Sequence, residues 1–159
     1  MKKILYVVES FGGGIYTFLK ELTNVVKKKY EVVIAYGERE ETPNIEILEK
    51  DFKGVKLMKV NNFTREINLI KDFNALFELK KIIKNERPDI IHLNSSKAGV
   101  LGRLASNGRK YTMLYNPHGF SFLKSDDSKI KRRIYWFIEK IMALINNKCV
   151  IVGCSRRRI

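Results

Sequence analysis

The feature that most narrows the fold of this chain is its opening. Lys3 to Glu9 is a short β-branched and aromatic run, Ser10-Phe11-Gly12-Gly13-Gly14 interrupts it, and a helical pattern of Phe18, Leu19, Leu22, Val25 and Val26 follows. A continuous apolar run that gives way to a 3.6-residue period reads as strand, glycine turn and helix, the first half of a βαβ unit. The pattern then repeats. Glu31 to Tyr36 is a second apolar strand, with Gly37 and a charged stretch through Pro43 as its exit, and Val55 to Val60 is a third.

From Ile67 to about Asn85 the positions Ile67, Ile70, Phe73, Leu76, Phe77, Leu79, Ile82 and Ile83 recur at helical intervals, and Pro88 stops that helix before a strand over Asp89 to Leu93. Asn94-Ser95-Ser96 caps a short helix carrying Val100, Leu101 and Leu104, and Tyr111 to Tyr115 forms a fifth strand that breaks at Asn116-Pro117. Both of these strands are apolar throughout, as strands covered on two faces should be. Ser128 to about Asn147 predicts a long helix bearing Ile130, Ile134, Phe137, Ile138, Ile141, Met142 and Ile145, and Cys149 to Gly153 a final buried strand. The whole is α/β: one Rossmann-like, doubly wound, mainly parallel sheet with helices on both faces.

A chain of 159 residues, 45% hydrophobic, suits one such domain and is too short for two of ordinary size. It has no uninterrupted apolar run of some 18 residues, and the N-terminus passes from two lysines into Ile4-Leu5-Tyr6-Val7-Val8 without a small-residue cleavage site, so a cytoplasmic location is expected. Cys149 and Cys154 lie without partner histidines at metal-ligand spacing and read as reduced thiols. Lys and Arg number 31 against 17 Asp and Glu, a formal charge of +14, which favours anionic partners: lipid headgroups, phosphorylated substrates or nucleic acid.

Ligands of a doubly wound sheet bind beyond the carboxyl ends of its strands, where three polar or glycine sets fall: Ser10 to Gly14, Asn94 to Lys97 and Asn116 to Phe120. They are expected to converge on one crevice. Gly12, Gly13 and Gly14 remove side chains so that backbone N–H groups and a helix N-terminus can approach a phosphate or sugar. His118 stands between Pro117 and Gly119 on a loop, where an imidazole can hydrogen-bond a substrate hydroxyl or phosphate near neutral pH. Asn94, Ser95 and Ser96 offer amide and hydroxyl groups, and Lys97 a cation; helix capping accounts for one of them. His92, inside an apolar strand, reads as a satisfied core histidine.

A dinucleotide reading of the glycine loop is weakened by Thr17. Gly12 and Gly14 fit the first two positions of G-x-G-x-x-G and Glu38 stands where a ribose-binding acid would, but Thr17 holds the third-glycine position with a branched side chain. Around Arg132, Lys129, Lys131 and Arg133 mix with Tyr135 and Trp136, a composition suited to anionic membrane interfaces as much as to a solvated helix face. No zinc-ligand pattern, hydrolase nucleophile elbow or Walker lysine loop is present, and no recognised nucleic-acid motif, so nucleic acid is not an expected partner.

With those residues in place, the chain resembles the N-terminal half of family 4, or group 1, glycosyltransferases of capsule and exopolysaccharide assembly, which is one half of a GT-B fold. The resemblance rests on Lys3 to Val8 leading into Gly12-Gly13-Gly14 and Thr17-Phe18-Leu19, on Arg87-Pro88-Asp89-Ile90-Ile91-His92-Leu93-Asn94-Ser95-Ser96-Lys97-Ala98-Gly99, and on Asn116-Pro117-His118-Gly119-Phe120-Ser121-Phe122. It implies metal-independent transfer of a sugar, with retention, from a nucleotide-sugar donor to a lipid-linked glycan acceptor at the cytoplasmic membrane face. No cofactor and no metal are implied. The glycine loop would approach the donor phosphates or acceptor, His118 would lie beside the transferred sugar as the catalytic-site histidine, Ser95, Ser96 and Lys97 would line the acceptor side, and the basic helix around Arg132 would face anionic lipid.

Family members continue into a second Rossmann-like domain that holds most donor contacts, including a pair of glutamates. Residues 1–155 are therefore expected to be the acceptor-side domain and 156–159 the start of the interdomain connection, with Arg156-Arg157-Arg158 where the family usually has an acidic residue. By itself the chain is expected to bind donor weakly and not to turn over. The alternatives are an acceptor-binding subunit of a two-subunit transferase and a non-catalytic nucleotide- or anion-binding module.

Overall fold

The computed structural model describes residues 1–64, 66–106, 111–118, 128–145 and 149–152. The elements run β1 (Lys3–Val8), α1 (Gly13–Val26), β2 (Glu31–Tyr36), α2 (Ile45–Asp51), β3 (Lys56–Lys59), α3 (Leu69–Glu86), β4 (Ile90–Asn94), α4 (Ser96–Ala105), β5 (Thr112–Asn116), α5 (Lys129–Ile145) and β6 (Cys149–Ile151). The strands make one sheet in the order β3-β2-β1-β4-β5-β6, and each recorded pairing is parallel. The chain winds outward from β1 to β3, returns across the sheet through α3, and winds outward again from β4. The strand order reverses between β1 and β4, which puts a crevice at their carboxyl ends.

The register explains why these strands are apolar on both faces. Leu5 lies opposite Val33 and Ile91, and Val7 opposite Ala35 and Leu93, so alternate residues form two separate layers. Leu5, Val7, Val33, Ala35, Ile91, Leu93, Met113 and Tyr115 pack under α3 and α4 with Leu79, Ile83, Ala98 and Leu101. Ile4, Tyr6, Val8, Val32, Ile34 and Tyr36 pack under α1 and α2 with Phe11, Leu19, Leu48 and Phe52. Burying each of the larger side chains stabilises the fold by about 1.5–3 kcal/mol. Gly99 lets α4 lie on the sheet, because a Cβ there would stand 2.5 Å from the buried ring of Tyr115.

The α/β expectation holds, with several local corrections. The stretch after Gly37 is not only a loop: Asn44 caps α2, its side chain accepting from Ile47 N at 3.0 Å, and Leu48 and Phe52 anchor it. Seven residues are too few to show a helical period. In α3 the apolar positions split between two faces. Leu79, Ile82 and Ile83 are buried, but Ile70, Phe73 and Phe77 point outward, and Phe73 and Phe77 stack edge to face at 4.7 Å. In α5, Met142 is buried while Ile130, Ile134 and Phe137 are exposed. The last strand, β6, lies at the sheet edge with Val150 and Ile151 exposed, because an edge strand has a neighbour on one side only.

The end of α3 falls where the sequence places it. Arg87 adopts φ 47 and stops α3, with Pro88 following. The expected boundary at 155 and the connection over 156–159 lie outside the described residues, as does Cys154.

Candidate functional site

At the carboxyl ends of β1, β4 and β5 a cleft of about 460 Å³ opens between α3, α4 and α5. Its walls include Ser95, Ser96 and Lys97 at the start of α4, Pro117 and His118 after β5, Glu9 after β1, and Tyr135 and Glu139 from α5. Two of the three expected sets thus meet there. The glycine loop does not line the cleft. It reaches it indirectly, through the Phe18 ring of α1, which meets the His118 ring edge to face at 5.1 Å.

Three non-glycine residues among those described have positive φ: Arg87 at a helix end, and Ser95 (φ 118) and His118 (φ 51) at the cleft. Backbone held in these regions costs on the order of 1–3 kcal/mol and persists only where the surroundings enforce it. For Ser95 they are its N–H, which donates to the Asn116 carbonyl at 3.1 Å, and its hydroxyl, which accepts from Ala98 N at 3.2 Å as the α4 cap. For His118 they are Pro117 before it and an N–H that donates to Asn116 Oδ1 at 3.1 Å.

Asn94 is fully buried behind the histidine. Its Nδ2 donates to the His92 carbonyl at 3.1 Å, and its Oδ1 stands 3.2 Å from His118 Nε2. Burial lowers the pKa of His118 from its ordinary 6.5. His92 is buried beside Tyr6, ring centroids 5.2 Å apart, and burial pushes it down to about 4. It is a core histidine, as expected, but not a satisfied one, since Nε2 has no hydrogen-bond partner.

The remaining charges in the cleft are paired. Lys97 Nζ donates to Asp72 Oδ1 at 2.7 Å, to Thr64 Oγ1 at 3.2 Å and to the Glu66 carbonyl. Its cation is therefore neutralised by the α3 turn, not left open as the sequence suggested. Glu9 is bound by Arg39. Glu139 accepts from the Tyr115 hydroxyl at 2.6 Å and lies 3.5 Å from Arg103 Nη1, while the Arg103 guanidinium covers the Tyr115 ring at 4.3 Å. Burial and the Glu139 carboxylate both raise the Tyr115 pKa. Sequence reasoning did not place Glu9, Tyr135 or Glu139 at the cleft, and read Tyr135 with the membrane-suited basic face. Tyr135 and Glu139 are one turn apart on α5 and so share a face, a signal present in the sequence but masked by the basic residues around it.

In the glycine loop, Gly12 caps α1 in extended backbone, Gly13 has φ 55, and Gly14 has open space around its Cα. The first turn of α1 carries no side-chain cap and no acidic residue of its own, and the Glu41 side chain lies against Gly12 at its start. Thr17 is exposed and does not obstruct packing on the sheet, and Glu38 is paired with Lys59. Gly119, Phe120 and the residues through 127 lie outside the described residues. Among the described residues no group of three His, Cys, Asp or Glu side chains is placed to hold a metal ion, and no helix is long and apolar enough to cross a membrane.

The fold is shared with solved structures at low identity. The lipopolysaccharide outer core galactosyltransferase WaaB superposes with a TM-score of 0.62 at 14% identity, over 99% of this chain and 47% of that one. MurG of Acinetobacter baumannii gives 0.60 at 12%, over 100% and 43%. In sequence, the chain is 34% identical over 106 residues to the Escherichia coli UDP-Gal:alpha-D-GlcNAc-diphosphoundecaprenol alpha-1,3-galactosyltransferase, covering 66% of this chain and 27% of that protein. It is 29% identical over 156 residues to a protein of the Klebsiella pneumoniae cps region, covering 94% and 39%. The chain thus spans well under half the length of these relatives. The model of Glycosyltransferase Family 4 matches residues 12–157, nearly the entire sequence, and the chain belongs to that family.

Proposed function

We propose that this chain is the acceptor-side half of a retaining, metal-independent glycosyltransferase that moves a sugar from a nucleotide-sugar to a lipid-linked glycan in surface polysaccharide assembly. In that reaction the bond from the sugar's anomeric carbon to the nucleoside diphosphate breaks, a bond to the acceptor hydroxyl oxygen forms, and the hydroxyl proton is released with the nucleoside diphosphate. The observation that carries the reading is the cleft at the strand-order reversal, with His118 held in a strained loop at its mouth, in a chain of Glycosyltransferase Family 4. His118 faces the transferred sugar, the α1 N-terminus with Gly12, Gly13 and Gly14 approaches phosphate, and Ser96 with the cleft wall meets the acceptor. The named acceptor of the Escherichia coli relative, a diphosphoundecaprenol-linked sugar, supports a lipid-linked acceptor.

The chain would work at the inner face of the cell membrane. In support, α5 exposes Ile130, Ile134, Trp136 and Phe137 beside Lys129 and Arg133. In a protein of the relatives' length a second domain would supply the remaining donor contacts, so the 159-residue chain, which covers 39% of the Klebsiella pneumoniae relative, is expected to be inactive by itself. The test is transfer of labelled sugar from UDP-sugars to a diphospholipid-linked acceptor, with EDTA present, by this chain and by a protein of the relatives' length. Product from the longer protein alone supports the reading; steady turnover by the 159-residue chain refutes the division of labour, and loss of product with EDTA refutes metal independence.

A further inference from the structure

We propose that Asn94 is a positioning residue that fixes His118 in its Nε2–H tautomer and so leaves Nδ1 as the ring nitrogen that accepts a hydrogen bond from a sugar hydroxyl. The second half rests on the reading of His118 as the group facing the transferred sugar; the first half stands on geometry alone.

Asn94 closes β4, fully buried, and its side-chain amide has only one workable orientation. The His92 carbonyl, 3.1 Å from one end of the amide, has only lone pairs to offer, so that end is the NH2 group. The oxygen is thereby turned to His118, at 3.2 Å from Nε2. Turning the amide over would set its oxygen against the carbonyl and lose that hydrogen bond. An amide oxygen accepts only, so Nε2 must carry the proton, and in an uncharged imidazole Nδ1 is then the acceptor.

The His118 ring has little freedom to escape this assignment. Its backbone is held at φ 51 by Pro117 and by the Asn116 side chain, and Phe18 lies edge-on against the ring. The carboxylates that share the cleft are each engaged elsewhere: Glu9 with Arg39, Asp72 with Lys97, and Glu139 with Tyr115. No anion among the described residues is hydrogen-bonded to the imidazole to hold it as a cation, and the other nearby titratable ring is His92, itself buried and neutral.

The chain has two histidines, so its imidazole nitrogens can be read individually. Two-bond 1H–15N correlation spectra of the 15N-labelled chain at neutral pH, assigned with His118→Asn, should show His118 with a protonated Nε2 and a bare Nδ1. Asn94→Ser should erase that preference toward a tautomer mixture, and Asn94→Asp should raise the His118 titration and give imidazolium at neutral pH. A protonated Nδ1, or a mixture, in the unsubstituted chain overturns the proposal even if neither variant folds. The hydroxyl contact is tested separately: an Nε2–H tautomer together with unchanged sugar transfer by His118→Asn, in a protein of the relatives' length, refutes the sugar role and leaves the Asn94 assignment standing.

Discussion

Lys97, at the start of α4, reaches the carboxylate of Asp72, in the first turn of α3, at 2.7 Å with both side chains largely shielded from water. The same ammonium also holds Thr64 and the Glu66 carbonyl, so one cation ties the β3–α3 connection to the cleft wall. Lys97→Met and Asp72→Asn are each expected to destabilise the chain, with a coupling of about 1–2 kcal/mol in a double-mutant cycle measured by urea unfolding. A coupling near zero would mean that the pair is solvated and that Lys97 is available to substrate.

His92 should make stability fall as the solution is acidified through a window of its own. Its pKa is about 4 in the folded chain against 6.5 ordinarily, so between those values the unfolded state binds a proton that the folded state does not. Stability is then complete above pH 6.5 and declines toward pH 4, by about 3 kcal/mol for the full shift. His118, also lowered, adds in the same direction. The depressed carboxyls of Asp51 and Glu86 act only below their ordinary 3.8 and 4.5. Unfolding free energies followed from pH 7 to 4.5 should show the decline, and His92→Phe should remove most of it.

The glycines of the two helices that start at the cleft end of the sheet should respond oppositely to alanine. At Gly99 the new methyl would meet the Tyr115 ring, which Arg103 and Glu139 hold in place, at an expected cost of about 1–3 kcal/mol. At Gly14 a Cβ meets nothing, so Gly14→Ala should leave stability unchanged or raise it by up to about 1 kcal/mol. If the glycine loop receives donor phosphates, the same Gly14→Ala should weaken nucleotide-sugar binding in titration calorimetry of a protein of the relatives' length. An unchanged affinity there would make Gly14 a turn residue and nothing more.

Vesicle sedimentation should show the chain binding anionic, not zwitterionic, lipid at low salt, with release as salt is raised. Arg133→Ala is expected to weaken that binding about fivefold, the equivalent of about 1 kcal/mol for one basic residue near a charged surface. Trp136→Ala should weaken it at all salt concentrations, since its contribution is apolar. Indifference to lipid charge would remove the membrane role of α5.

His118→Ala, in a protein of the relatives' length, should lower kcat/KM for sugar transfer by about tenfold or more, the value of one hydrogen bond that strengthens in the transition state. Transfer assays under subsaturating donor measure this directly. An unaltered rate would place His118 outside the reaction.

The order of the strands and of every helix but the short α2 was legible in the sequence because the apolar runs end at a glycine, proline or capping residue: Gly12 after β1, Gly37 after β2, Pro88 before β4 and Pro117 after β5. The switch between a continuous apolar run and a 3.6-residue period is a local property of the chain. The positions of Asn94 to Lys97 and of His118 beyond strand ends followed from the same reading, since parallel strands deliver their carboxyl ends to one edge. What those side chains do at that edge depends on neighbours distant in sequence. Lys97 is neutralised by Asp72 across a crossover, Asn94 is turned inward by the His92 carbonyl and His118, and Glu139 arrives from α5 to hold Tyr115. The outward-facing apolar residues of α3 and α5 were likewise not legible, because periodicity reports that a helix has an apolar face but not which surface, if any, covers it. Local patterning in the sequence determined the strands and the longer helices and their order; tertiary packing decided which polar groups are paired with which, because hydrogen bonds and ion pairs form between residues that only the folded sheet brings within reach.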